Sequence, residues 1–186
     1  SDSPVAETSY TVTGTDANGC VNTASILIGV NALPNISIIT GNTFVCEGTS
    51  LTMVASGGTN YAWSTGDTTA SVTLAPLVNT TYSVNGTDVN GCSNSASQII
   101  SVNPNPVISI SGTPSICVGG TALLSASGAS SIIWTSGETT SDISVSPTVN
   151  TTYSASGTDN NGCTGTADLT VVVNPLPQVS VTTQSD

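Results

Sequence analysis

Thr-Thr-Tyr-Ser-Val-Asn-Gly-Thr-Asp-Val-Asn-Gly-Cys, from Thr80 to Cys92, decides how this chain folds, because it occurs three times. Near-copies run from Thr8 to Cys20 and from Thr151 to Cys163. The closing cysteines step by 72 and then 71 residues, and Cys46 to Cys117, Trp63 to Trp134 and Pro76 to Pro147 each step by 71. Solenoid units of about 20–50 residues cannot bury a core alone, whereas a unit of this length just can. The period therefore predicts tandem modules, each a small domain. Copying a whole domain suggests reach, spacing or multivalency more than a single chemical site.

Within the phrase, Tyr82 and Val84 fall on one face of a strand by the two-residue alternation, and Asp-Val-Asn-Gly turns the chain back on itself. Working outward, Ile36–Ile39 reads as strand A, and Val45–Gly48 as a second edge and turn. Leu51–Ala55 is strand B, with Leu51, Met53 and Ala55 on one face. Tyr61–Trp63 is strand C, with Trp63 as core anchor, and Ala70–Leu74 is strand E or a D/E pair, ended by Pro76. Thr81–Gly86 is strand F and Ser95–Val102 strand G. Seven short strands with a Trp on strand C describe an all-β, immunoglobulin-like sandwich, and Tyr82 stands where a tyrosine corner would lie. The next copy repeats the plan with Ile108, Ile110, Leu123, Trp134, Ile143, Val145, Tyr153 and Val171 facing inward.

The predicted organisation is the C-terminal half of a module at 1–34, complete modules at 35–106 and 107–177, and the first strand of another at 178–186. The chain reads as a window on a longer repetitive polypeptide. The joints Asn31–Pro34, Asn103–Pro106 and Asn174–Pro177 share Asn-x-x-Pro, and short Pro-containing linkers are stiff, so a rod-like array is expected.

Composition removes whole classes of function. The chain has no Lys, Arg or His and a formal charge of -11. Nucleic acid is excluded as a partner because phosphate neutralisation needs cationic side chains. A polybasic membrane patch is excluded for the same reason, and no apolar run is long enough to insert into a bilayer as a helix. Ser and Thr abound, but no His or Lys is present to activate them, so the catalytic set is empty. The acid pairs Asp67 with Glu47 and Glu138 with Asp142 could serve a glycosidase only if they faced one groove, and turn positions explain them better. An intramolecular Lys–Asn crosslink is also excluded. What remains is rich in Thr, Ser, Val, Ile, Asn and Gly, which favours strands and turns.

Each complete module carries two cysteines 46 residues apart, Cys46 with Cys92 and Cys117 with Cys163. Without His or Cys-x-x-Cys, disulfides are far better supported than metal or redox sites, which places the protein outside the cytosol. Constant spacing favours pairing within a module. Against that, the A–B and F–G turns of an immunoglobulin sandwich lie at opposite ends, so either strand A folds back to bring the two together or the bonds link neighbouring modules or chains. The partner of Cys20 lies outside the chain or in another chain.

The loops beginning at Asp16, Asp88 and Asp159 resemble the start of a calcium loop but lack its later ligands, so calcium is a weak candidate and turn formation the better reading. No other cofactor is implied. Asn-x-Ser/Thr sequons at Asn35, Asn79, Asn85 and Asn150 are expected by chance in so Asn- and Thr-rich a chain.

Trp63–Thr69, Trp134–Thr140, Asn-Thr-Thr-Tyr-Ser and Thr-Asp-x-Asn-Gly-Cys together resemble the Ig-like and PKD-like repeats of very large bacterial surface proteins, similar to gliding and biofilm adhesins exported by type IX secretion. The resemblance implies an extracellular, tandem, non-catalytic stalk or filament at the cell surface. Asp67-Thr68-Thr69 resembles a bacterial O-glycosylation signal, with Thr68 as acceptor; Glu138 replaces the Asp in the next copy. The partners expected are other copies of the chain or neighbouring modules, associating through Thr- and Ser-rich faces and free strand edges. The alternative reading is an array of modules whose repeated loops bind surface glycans or calcium.

Overall fold

The computed structural model describes residues 2–182, and among them there is no helix. Sixteen strands occur in five sheets. They are β1 (Thr8–Thr15), β2 (Val21–Ile28), β3 (Ser37–Thr40), β4 (Phe44–Cys46), β5 (Leu51–Ser56), β6 (Asn60–Trp63), β7 (Ser71–Leu74) and β8 (Thr80–Thr87). The rest are β9 (Ser93–Asn103), β10 (Ser109–Gly112), β11 (Ser115–Cys117), β12 (Ala122–Ser127), β13 (Ser131–Trp134), β14 (Asp142–Val145), β15 (Thr151–Thr158) and β16 (Thr164–Asn174). Residues 178–182 carry no strand, and 183–186, the remainder of the expected next strand A, lie outside the described residues.

One sheet has the order β3-β5-β7 and another β4-β9-β8-β6; the same plan returns as β10-β12-β14 and β11-β16-β15-β13. In immunoglobulin terms these are A-B-E and A′-G-F-C, with strand A divided between the two sheets. In the second copy the division falls at a glycine. β10 runs antiparallel to β12, Gly112 then takes φ 137°, and after Pro114 the chain re-enters as β11, parallel to β16. A side chain at that φ is strained, which suits glycine at the crossing. All strands of each sheet pair come from one copy of the repeat, 37–103 for the first and 109–174 for the second.

By spatial proximity the chain divides into two compact units. One holds the residues up to Thr43 with Leu51–Leu74 and Thr81–Ile99; the other holds Phe44–Ser50, Ala75–Thr80 and the chain from Ile100 onward. In the first unit Ile36, Leu51, Met53, Ala55, Trp63, Val72, Tyr82 and Val84 are buried, as the alternation predicts for Leu51, Met53, Ala55, Trp63, Tyr82 and Val84. The second unit has a core of Ile108, Ile116, Ala122, Leu124, Ala126, Ile132, Trp134, Ile143, Ala155 and Val171, against which Ile110, Val145 and Tyr153 pack partly buried.

One inward assignment is corrected: Leu123 is exposed and Leu124 buried. The period of 71 shows why, since Leu51, Met53 and Ala55 correspond to Ala122, Leu124 and Ala126, and a one-residue slip inverts a strand's faces. Each Trp is held twice. The Trp134 ring is buried while its Nε1–H donates to the Thr140 carbonyl at 2.9 Å, and Trp63 does the same to Thr69 at 2.9 Å. This satisfies the one polar atom of an otherwise apolar anchor.

Candidate functional site

The chemistry of the chain is concentrated in its cysteines and the turns that hold them. Cys46 ends β4, and Cys163 closes the turn between β15 and β16; these two are joined as a disulfide, with Cα atoms 5.4 Å apart at a sequence separation of 117. Cys163 is fully buried and Cys46 partly so. Both belong to the second compact unit, yet they come from different copies of the sequence repeat. Cys20, Cys92 and Cys117 are free thiols.

The pairing Cys46–Cys92 and Cys117–Cys163 favoured by the spacing is therefore corrected, and strand register supplies the reason. Cys117 stands opposite Asn174, the last residue of β16, whereas Cys163 immediately precedes Thr164, its first. Eleven strand residues at ~3.3 Å each separate those positions by roughly 36 Å. A disulfide tolerates at most about 7 Å between Cα atoms. Cys46 likewise stands opposite Asn103 at the end of β9, and Cys92 precedes Ser93 at its start. The two cysteines of one repeat thus mark opposite ends of its longest strand.

The turn that carries Cys46 is rigidly specified. Thr49 N–H donates to the Cys46 carbonyl at 2.9 Å, Gly48 takes φ 73°, and Glu47 N–H donates to the Asn103 carbonyl at 2.9 Å. The Cys117 turn has the same wiring. Gly120 N–H donates to the Cys117 carbonyl at 2.9 Å, Gly119 takes φ 82°, and Val118 N–H donates to the Asn174 carbonyl at 2.9 Å. Positive φ at the third residue is the requirement of a type II turn, which Gly meets without strain.

The acidic turns hold the other set of cysteines. Asp159 Oδ1 accepts N–H bonds from Asn161 and Cys163, both at 2.8 Å. Asp88 does so for Asn90 and Cys92, both at 2.9 Å, and Asp16 for Asn18 and Cys20 at 2.9 and 2.8 Å. Gly19, Gly91 and Gly162 take φ near 80° and close each turn with an N–H bond to the Asp carbonyl. These weak calcium candidates are thus turn formers, and each Asp also fixes the backbone of the cysteine four residues on. Among the described residues no cluster of three His, Cys, Asp or Glu side chains could hold a metal ion.

Glu47, Asp67, Glu138 and Asp142 are all exposed. A hydrogen bond from Ser136, followed by one from the backbone, holds the Glu138 carboxyl below its ordinary pKa. Thr68 is exposed beside the Asp67 turn, where Thr65 Oγ1 donates to Asp67 Oδ2 at 2.6 Å. Asn79 and Asn150, read as chance sequons, have a structural role instead. Asn79 Oδ1 accepts the Val102 N–H at 2.7 Å, and Asn150 Oδ1 the Val173 N–H at 2.8 Å. Their signal in the sequence was the shared place before Thr-Thr-Tyr.

No family model and no curated protein matches the chain. Similar solved structures include murine CEACAM1b, at 11% identity over 75% of this chain and 100% of the other, with a TM-score of 0.33. The insect immune protein hemolin matches at 10% identity over 90% of this chain and 56% of that one, with a TM-score of 0.35. A domain of a 1.5-MDa bacterial ice-binding adhesin matches at 14% identity over 90% of this chain and 74% of that one, also at 0.35. The fold assignment rests on the strand order given above.

Proposed function

We propose that this chain is a structural element of an extracellular stalk or filament: tandem Ig-like modules, bounded at 35–106 and 107–177, that extend and stiffen a bacterial surface protein of the adhesin type exported by type IX secretion. The observation that carries the reading is the Cys46–Cys163 bond, which ties one repeat to the next and not a repeat to itself. A domain stapled internally gains stability alone. A domain stapled to its neighbour gains a fixed junction, which matters where the product is mechanical extent. Closing a loop of this length also stabilises by on the order of 4–5 kcal/mol in the chain-entropy account. A disulfide of this kind fits an oxidising, extracytoplasmic setting. The absence of Lys and Arg leaves no site for trypsin-like proteases, which suits a surface-exposed rod.

Pulling on the chain by its two ends tests this directly. Force applied to the oxidised chain passes from Cys46 to Cys163 through the sulfur bridge, so the enclosed residues stay unextended. Reduction is expected to add roughly 400 Å of contour length, from 117 residues at ~3.4 Å each. Equal extension with and without reductant would contradict a mechanical role for the bond.

A further inference from the structure

The three free cysteines fall into the same two classes as the bonded pair. Cys117 occupies the place of Cys46: the end of the short parallel strand, followed by a Gly with φ 82° against 73°, with the same backbone bond from the next residue to the Asn that ends the long strand. Cys20 and Cys92 occupy the place of Cys163, each with its N–H on the Oδ1 of an Asp four residues earlier. The bond seen here joins the first class in one repeat to the second class in the following repeat. Under that rule Cys117 needs a partner in a repeat after 107–177, and Cys92 needs one in a repeat before 35–106.

We infer that Cys117 is the open half of a second staple of the same kind, and that its partner is the Asp-x-Asn-Gly-Cys cysteine of another copy of this repeat placed after Pro177. Cys117 is exposed and so accessible to such a partner. Bond formation requires an oxidant, supplied as a small-molecule disulfide such as oxidised glutathione. The Cys117 thiolate attacks one donor sulfur and releases the first donor thiol. The partner thiolate then displaces the second. Two cysteine thiols lose two protons and two electrons, and the donor disulfide is reduced to two thiols. Repeated along an array, such bonds form a ladder in which each repeat is linked to the ones before and after it. The inference names the partner for the stalk reading and rests on it only for its biological sense; connectivity is read chemically, mechanics by pulling, so the two can fail separately.

The experiment uses the full chain with one additional copy of residues 107–177 inserted directly after Pro177, oxidised in a glutathione buffer. Without the added copy the chain has three free thiols. The extended chain has two more cysteines, and its free-thiol count is expected to stay at three, with Cys117 linked to the cysteine of the added copy that corresponds to Cys163. Cys117→Ser should then leave that added cysteine free while Cys46–Cys163 persists, which shows that the variant has folded. A count of five with Cys46–Cys163 intact would overturn the inference. So would linkage of Cys117 to Cys20, Cys92 or a second Cys117. Loss of Cys46–Cys163 in the extended chain would overturn the rule itself.

Discussion

The hairpin β1–β2 and the hairpin β15–β16 share a similar first strand, the same Asp-centred turn and the same register but differ in what surrounds them. Thr8 pairs with Ile28 and Thr15 with Val21; Thr151 pairs with Val171 and Thr158 with Thr164. Both close on the same Asp-centred turn. Yet Val12 is 67% exposed where Ala155 is fully buried, and Ile28 is 37% exposed where Val171 is fully buried. The alternation and the turn chemistry specify strand pairing locally. They do not supply a core, which for the second hairpin comes from Ile108 and from strands β11 to β14 earlier in the same copy.

The comparison can be broken first at its glycines. Gly14 and Gly157 hold the same place in the two hairpins. A Cβ on Gly157 would meet Ala129 Cβ at 2.7 Å and run into Ile108, whereas one on Gly14 meets nothing within 4 Å. Gly157→Ala should therefore destabilise by about 1–3 kcal/mol, as overpacking does. Gly14→Ala should shift stability by no more than about 0.5 kcal/mol. Urea denaturation of the two variants reads the difference, and equal losses would mean that both hairpins are packed.

A smaller effect sharpens the shared part. Asp159→Ala and Asp16→Ala each remove the acceptor of two backbone N–H bonds in an equivalent turn. Each is expected to cost about 1 kcal/mol, seen as faster amide exchange at Cys163 and at Cys20 respectively. A change confined to Asp159 would show that the turn depends on surrounding strands and not on its own carboxylate.

Much of the fold was readable beforehand because it is periodic. Leu51, Met53 and Ala55 announce a strand face, Trp63 and Trp134 announce a core, and a spacing of 71 transfers the reading from one copy to the next. Alternation alone cannot choose between the adjacent Leu123 and Leu124, since either register fits; the repeat offset selects Leu124. The site was less readable. Cys46 and Cys92 recur at constant spacing, which looks like self-contained pairing. Only the parallel register of β4 on β9 reveals that they mark opposite ends of one strand. Sequence spacing measures distance along the chain, and in a sandwich that says little about distance in space.

The account depends most on which cysteines are joined. Oxidised protein, never exposed to reductant, can be cleaved with acid- and aromatic-directed proteases, since trypsin has no site, and its disulfide-linked peptides sequenced by tandem mass spectrometry. The expected result is a peptide containing Cys46 bonded to one containing Cys163, with Cys20, Cys92 and Cys117 recovered as thiols. Recovery of Cys46 bonded to Cys92, or of Cys117 bonded to Cys163, would contradict it.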